Sequence, residues 1–440
     1  MFSRSCVNQA IALLLFSSAS LLRADPHASL DLDAAIQSAL NAGDLEAQSL
    51  RVEEARGRLQ QRLLKPNPVV VYDRQDIFDQ GNAPGFVQDL VKLEQPLRQH
   101  GIRQARQRAG EMDIETVSRE VVLARRRKIH EVRRAFARTL EAQHLILIHQ
   151  RAIIRTRTAQ DVVSLRTTAG ESSKYESARM NLATAQERDL TTAARVEFTR
   201  ALAELGAAMS KPLPANTVIE GRLPGPVKVD KAVGDRTLET TKHPAFGHLG
   251  AGTKLADPTG SPWMTRPEIA IEDARLAQAR ADEQSIRAEV RPQFNVGLGY
   301  MHFDQRGLTA QDGYNAVVSV GLPINDRRQG DIRAAQARAT GAQRSRSAAV
   351  ARIYAEVEGA REHLLMANAR LVELLEVEKS GTGEMTAMAE TSYRAGLQSV
   401  LELLDAYRLE RDLQLARVRA QGALLLAIED YAYTLAWIST

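Results

Sequence analysis

The residues of this 440-residue chain that could do chemistry are few and scattered. Nine histidines stand at 27, 100, 130, 144, 149, 243, 248, 302 and 363, and none meets another histidine or a cysteine at i, i+4. His144 and His149 are poorly phased for chelation on one helix, and His243 with His248 could form at most a loose site. The single cysteine, Cys6, leaves no disulfide framework and no cysteine-based zinc site. The chain has no phosphate-binding loop, no His-Glu-x-x-His, no Gly-x-Ser-x-Gly and no paired nucleophile, so neither catalysis nor a cofactor or metal site is expected. The acids with suggestive spacing are Glu402 and Asp405, whose i, i+3 separation puts both on one helix face. Glu176 occupies the matching place earlier in the chain. On residue type alone these are acids on a solvated helix face.

The elements that would carry them are long helices. Charged residues make up 25%, hydrophobic residues 44% and aromatics 5% of the chain. That composition excludes a disordered chain and a polytopic helical membrane protein. Lys+Arg number 58 against 54 Asp+Glu, interspersed, so the pI of 9.2 points only weakly to nucleic acid. All fifteen prolines fall outside the windows 97–211 and 324–440, the two stretches where long helices can form. Each window opens after a proline-bracketed pair of strand-like segments, about 66–97 and about 292–323, and is broken by a turn at Ala169-Gly170 or Ala395-Gly396. The offset from Pro66 to Pro292 and from Gly170 to Gly396 is 226 in both cases, which makes the chain two copies of one unit: helix, two strands, very long helix, second helix. Leu409, Leu413, Ala416, Ala420, Ala423 and Ala427 form a heptad seam in the last helix, suited to close helix approach but equally to a plain antiparallel hairpin.

Residues 1–24 carry Arg4, an apolar run and a small residue before Asp25, the pattern of a cleaved secretory signal peptide; an uncleaved anchor is the alternative. The divisions expected are then the signal at 1–24, a first copy at 25–210, an irregular linker at 211–265 and a second copy at 266–440. The two helical hairpins cover about 101–208 and about 329–430.

In the second strand pair, Phe294, Val296, Leu298 and Tyr300 alternate with Asn295, Gly297, Gly299 and Met301. Tyr314, Ala316, Val318 and Val320 alternate with Asn315, Ser319 and Gly321. An apolar row backed by a small or polar row fits a membrane barrel, with Phe294, Val296, Leu298, Tyr300, Tyr314, Val318 and Val320 facing lipid. A half-buried hairpin of a soluble domain fits equally well on patterning alone. The first pair alternates less cleanly, because Asp73, Gln75 and Asp89 interrupt it. Four strands cannot close a barrel, so a membrane reading demands several chains, and a trimer with twelve strands is the smallest comfortable solution.

With the duplication, the segments Leu64-Lys65-Pro66-Asn67-Pro68 and Arg266-Pro267-Glu268-Ile269, and the Ala-Gly turns, the chain resembles the TolC-type outer-membrane efflux proteins from about Leu30 onward. Gly321-Leu322-Pro323-Ile324-Asn325 through Gln329-Gly330-Asp331-Ile332 is most similar to the CzcC-like, heavy-metal branch. The resemblance implies a mainly α fold with a small β part: a trimeric twelve-stranded barrel on a twelve-helix periplasmic tunnel. It implies a passive duct in the outer membrane, not an enzyme, working with a periplasmic adaptor and an inner-membrane resistance-nodulation-division pump. It places acidic rings of Glu402, Asp405 and Glu176 at the closed aperture, and a lock of tyrosine and arginine beside them. Tyr393 matches the tyrosine, but Gln398 stands where the arginine is expected, so a Tyr393–Glu176 hydrogen bond is the substitute lock. The adaptor would dock on Arg166, Gly170 and Ser173 and on Arg394, Gly396 and Ser399. Export of organic compounds is the alternative cargo, and a soluble periplasmic coiled-coil adaptor is the alternative of another class.

Overall fold

The computed structural model describes residues 29–78, 85–97, 101–230, 237–239, 262–305 and 309–435. The expected signal peptide, Cys6, His27, His100, His243, His248 and most of the second half of the expected linker lie outside the described residues.

A short strand β1 (Ser29–Leu30) precedes helices α1 (Leu32–Leu40) and α2 (Gly43–Leu63), and strands β2 (Val69–Ile77) and β3 (Phe86–Leu97) follow. Helix α3 (Ile102–Thr168) then runs unbroken for 67 residues. At ~1.5 Å per residue that is about 100 Å. Helix α4 (Lys174–Ala208) returns from the turn, and the small strands β4 (Val218–Ile219), β5 (Lys228–Asp230) and β6 (Thr237–Glu239) lie in the connection. The second copy repeats the order with α5 (Pro267–Glu289), β7 (Gln293–Gln305), β8 (Gln311–Gly321), α6 (Gln329–Lys379), α7 (Thr382–Arg394) and α8 (Val400–Thr434).

One departure separates the copies. The expected single long helix of the second hairpin is two helices, because Gly381 takes φ +112° between α6 and α7. The counterpart of Gly381 in the first copy is Arg155, inside the unbroken α3. A side chain disfavours that left-handed conformation, whereas a glycine adopts it freely, and a second glycine, Gly383, follows at once. The break falls at a glycine and not at a proline, so the proline-free window does not mark it.

The helices stand in four columns. Helices α2 and α4 lie end to end along one side of α3, α5 and α8 lie end to end along its other side, and α6 with α7 forms the fourth column against α5 and α8. Both end-to-end junctions sit at the same level of α3. Lys128 bonds Asp44 of α2 at 2.8 Å and Ser210, just past α4, at 3.0 Å. A little further along α3, the buried Arg133 pairs with Glu429 of α8 at 3.1 Å. Arg266, at the start of α5, holds Glu268 at 2.6 Å and Glu356 of α6 at 2.9 Å, and its guanidinium lies 5.5 Å from the Tyr433 ring centre. Apolar clusters flank this ionic belt. One joins α1, α3, the end of α4 and β4, and the other joins Trp263, α6 and the upper half of α8. Tyr431 and Leu435, at the end of the described residues, share that second cluster with Trp263 and Val227 of the connection.

The four long strands make one antiparallel sheet in the order β2-β3-β7-β8, so the strands of both copies meet at β3 and β7. Register sorts the side chains into rows. Val70, Leu93, Leu298 and Ala316 align across the sheet on one face, and Tyr72, Val91, Tyr300 and Tyr314 align next to them. The following row on that face is polar, Arg74, Asp89, His302 and Asp312, with Arg74–Asp89 at 3.4 Å and His302–Asp312 at 2.8 Å. Asp89 therefore ends the apolar rows at a common level instead of interrupting them. Asp73 and Gln75 belong to the other face, where Lys92 pairs with Glu94 at 2.7 Å. Gly297 and Gly299 are required beneath that pair: a Cβ at Gly299 would sit 2.7 Å from the Lys92 Cβ.

Burial works against the Glu268 charge, but the hydrogen bonds and charge of Arg266 outweigh it and hold the carboxyl below its ordinary value. A depressed folded-state value means that the stabilisation is complete above the unfolded value of about 4.3 and is lost as pH falls through the folded one. Thermal unfolding followed by circular dichroism should show the midpoint dropping on acidification below about pH 4.5, with Glu268→Gln lowering the neutral-pH midpoint and removing part of that acid slope.

Candidate functional site

The end of the helical columns far from the sheet is built from two turns of identical design. At the first, the amide of Gly170 bonds the carbonyl of Thr167 and that of Glu171 bonds Arg166; at the second, Gly396 bonds Tyr393 and Leu397 bonds Ser392. Gly170 takes φ +82° and Gly396 φ +75°. This is the closure in which a left-handed glycine ends a helix. Three residues later each returning helix begins with a reciprocal cap. The Ser173 hydroxyl accepts from the Glu176 amide while the Glu176 carboxylate accepts from the Ser173 amide, and Ser399 with Glu402 repeats it. Every one of these bonds recurs at an offset of 226.

The caps change the standing of the expected acidic residues. Glu402 uses its carboxylate on the Ser399 amide at 2.8 Å, and Glu176 also takes the Ser172 hydroxyl. The Ser-x-x-Glu pattern at 173–176 and at 399–402 carries this local capping role in the sequence itself. Glu402 and Asp405 are both exposed on α8, as their spacing implied, and Glu176 is half-buried.

The expected Tyr393–Glu176 hydrogen bond does not form, because Glu176 is engaged by its own cap and the buried Tyr393 hydroxyl has no partner in hydrogen-bonding geometry among the described residues. Tyr393 is held by Arg166 instead. The Arg166 guanidinium lies 5.2 Å from the ring centre, and its Nη1 donates to the Tyr393 carbonyl at 2.9 Å. Burial raises the Tyr393 phenol above its ordinary value, with Arg166 opposing. An arginine thus meets the tyrosine after all, supplied by the first hairpin and not from position 398. Gln398 is exposed. The contact ties the tip of one hairpin to the tip of the other. Glu171 lies 3.7 Å from the same arginine, and a second strap joins α7 to α8, where the Tyr407 hydroxyl donates to Glu390 at 2.9 Å.

Beneath these contacts the four helix ends share one apolar cluster, with Val163, Met180, Tyr393, Val400 and Leu403 at its centre. A groove of about 350 Å³ lies between α3 and α7, floored by Leu403 and Tyr407 and edged by Arg151, Arg155 and Arg394. Of the six residues expected to dock a partner, Ser173 and Ser399 spend their hydroxyls on caps, and Arg394 is exposed with Glu390 at 3.9 Å. The sequence reading missed the apolar surface around them: Leu165, Tyr175, Leu397 and Leu401 are all exposed, Leu397 at 80%. Among the described residues no group of three or more metal-ligating side chains converges, and no helix is long and apolar enough to cross a membrane.

Comparison with known proteins bears on this architecture. Residues 264–430, most of the second copy, match the family model for outer membrane efflux proteins, a family of transport ducts and not of enzymes. The whole fold is similar to solved outer-membrane channels. The channel OprN aligns at 18% identity over 92% of this chain and 90% of its own, with a TM-score of 0.69. CusC aligns at 17% over 92% and 91%, TM-score 0.68, and the Campylobacter jejuni channel CmeC at 14% over 92% and 85%, TM-score 0.69. No curated protein matches the chain in sequence. The chain therefore has the fold of these channels: a mainly helical protomer with a small four-stranded sheet.

Losing either cap should loosen one tip locally. Ser173→Ala and Ser399→Ala should each cost about 1 kcal/mol, measured as roughly fivefold faster hydrogen exchange in the first turn of α4 or α8 alone.

Proposed function

We propose that the whole chain is an outer-membrane efflux protein: one third of a passive exit duct, with three copies closing a twelve-stranded barrel over a twelve-helix periplasmic tunnel. The observation that carries this reading is the sheet. Its face of aligned apolar rows is open to solvent in the single chain, with Leu298 74%, Val318 70% and Tyr314 93% exposed. Those rows stop at a line of tyrosines, and beyond it lies the ion-paired row. That sequence of apolar band, aromatic line and charged rim is the outer surface of a membrane barrel. The expected lipid-facing residues Phe294, Val296, Leu298, Tyr300, Tyr314, Val318 and Val320 all fall on this face. A soluble adaptor has no use for it.

In the assembled duct the hairpin tips form the periplasmic aperture. Arg166 on Tyr393 holds the two hairpins together in the closed form. Glu402 and Asp405, repeated in three copies, line the aperture with negative charge and favour cations. The exposed apolar tip residues, together with Arg394 and the turns at Gly170 and Gly396, receive the periplasmic adaptor of an inner-membrane resistance-nodulation-division pump. The cargo is heavy-metal cations, on the strength of the CzcC-like segment from Gly321 to Ile332. A duct need not bind its cargo tightly, and no resident metal site is invoked.

Two measurements test this. A strain lacking the protein should lose tolerance to a few of Zn, Cd, Co, Ni, Cu and Ag salts while keeping normal tolerance to dyes, detergents and antibiotics; the opposite profile would discard the metal cargo and leave the duct. In planar bilayers Arg166→Ala should raise single-channel conductance several-fold, and Glu402→Ala/Asp405→Ala should reduce cation over anion selectivity. An unchanged conductance in Arg166→Ala would remove the arginine from the lock.

A further inference from the structure

Six buried side chains among the described residues are arginines or glutamates: Arg126, Arg133, Glu187, Arg266, Glu268 and Glu429. Five of them are paired. Arg133 meets Glu429 at 3.1 Å, Arg266 meets Glu268 at 2.6 Å, and Glu187 is held by Arg411 of α8. Arg126 forms no ion pair among the described residues, although it is only 5% exposed. Its Nε and Nη2 are shut off from solvent and have no acceptor. An arginine does not shed its charge in a protein, so burying one without a counter-charge is costly. The buried part of the ionic belt thus holds three guanidiniums, Arg126, Arg133 and Arg266, against two carboxylates, Glu268 and Glu429.

The acids at this level are already engaged. Glu268 is the acid whose charge acts on Arg126, but Arg266 takes both its oxygens, Oε2 with Nε at 3.2 Å and Oε1 with Nη2 at 2.6 Å. Arg133 takes both oxygens of Glu429, and Asp430 is shared by Arg134 at 2.7 Å and His130 at 3.3 Å. Arg126 lies instead 5.7 Å from the Tyr433 ring centre. The same ring has the Arg266 guanidinium at 5.5 Å and His130 stacked on it at 4.2 Å. Burial pulls the Arg126 guanidinium below its ordinary value and Arg266 adds to the pull, with Glu268 and Tyr433 opposing. The unused pair, Nε–H and Nη2–H, is the same side of the guanidinium with which Arg266 grips Glu268. That fork is closed off inside one chain, so an acid from a second copy does not reach it.

We infer that Arg126 holds a small monovalent inorganic anion, chloride or an oxyanion of the size of nitrate, on its Nε–Nη2 side next to Tyr433. The ion supplies the missing counter-charge where α3, α8 and the start of α5 meet. It completes the belt at the level of the two end-to-end helix junctions. Every residue of the site belongs to one chain, so the inference stands apart from the multi-chain duct.

The test uses the full chain in detergent at fixed ionic strength, with chloride or nitrate replacing gluconate, an anion too large for so enclosed a site. The thermal unfolding midpoint should rise with chloride and level off once the site is full. Arg126→Met keeps the length of the side chain and removes its charge. Its midpoint should not respond to chloride, and should equal or exceed that of the unmodified chain in gluconate. Crystals of the unmodified protein grown in bromide should show an anomalous peak within hydrogen-bonding reach of Arg126 Nε and Nη2. If Arg126→Met does not fold, the bromide map decides alone. A midpoint of the unmodified chain that ignores chloride and nitrate, or a bromide map with no peak there, overturns the site and leaves water beside Arg126. An equal rise in Arg126→Met is a general salt effect and overturns it too. Monomers or trimers in the sample bear on the duct and not on this result.

Discussion

Backbone hydrogen bonding in hydrocarbon is the constraint on which the proposed account depends. A β-strand buried in lipid must have its amides and carbonyls satisfied on both sides, because each unsatisfied group costs several kcal/mol where no water can replace the partner. The chain offers one sheet of four strands with β2 and β8 as bare edges. Its exposed apolar face fits lipid, and its bare edges forbid lipid to a single copy. Assembly is then a condition of insertion, and the helical columns below inherit the same unfinished boundary as the sheet above. Duplication of one unit supplies both halves of each layer, two strands and two columns per copy.

At the tips the duplication is retained in backbone geometry and abandoned in side chains. The glycine closures and serine–glutamate caps coincide bond for bond at an offset of 226, so both hairpin ends are closed in the same way. The residues that touch between the tips do not correspond: Arg166 has Ser392 as its counterpart, and Tyr393 has Thr167. The second hairpin alone carries the Gly381 break.

Much of this was legible in the residues. Prolines and glycines report directly on backbone conformation, so Pro66, Pro292, Gly170 and Gly396 revealed the copies, the strands and the turns. Alternation across Phe294 to Tyr300 gave the apolar face. Asp89 looked like a defect in a strand because its neighbours in the row, Arg74, His302 and Asp312, are brought alongside only by register. Arg166 was invisible as the partner of Tyr393 for the same reason: their contact spans 227 residues, and no local pattern encodes it. Gly381 and Gly383 do not announce a break by themselves, because a glycine within a helical stretch is usually tolerated, at a cost of about 1 kcal/mol. Whether it bends the helix is decided by packing around it.

Stoichiometry in the membrane tests the account most directly. Native mass spectrometry of the protein extracted in detergent from the outer membrane should give three times the mass of the processed chain, with no monomer until the sheet unfolds. A folded monomer recovered from the periplasm without detergent would contradict it, because four strands with bare edges could then stand alone only in water.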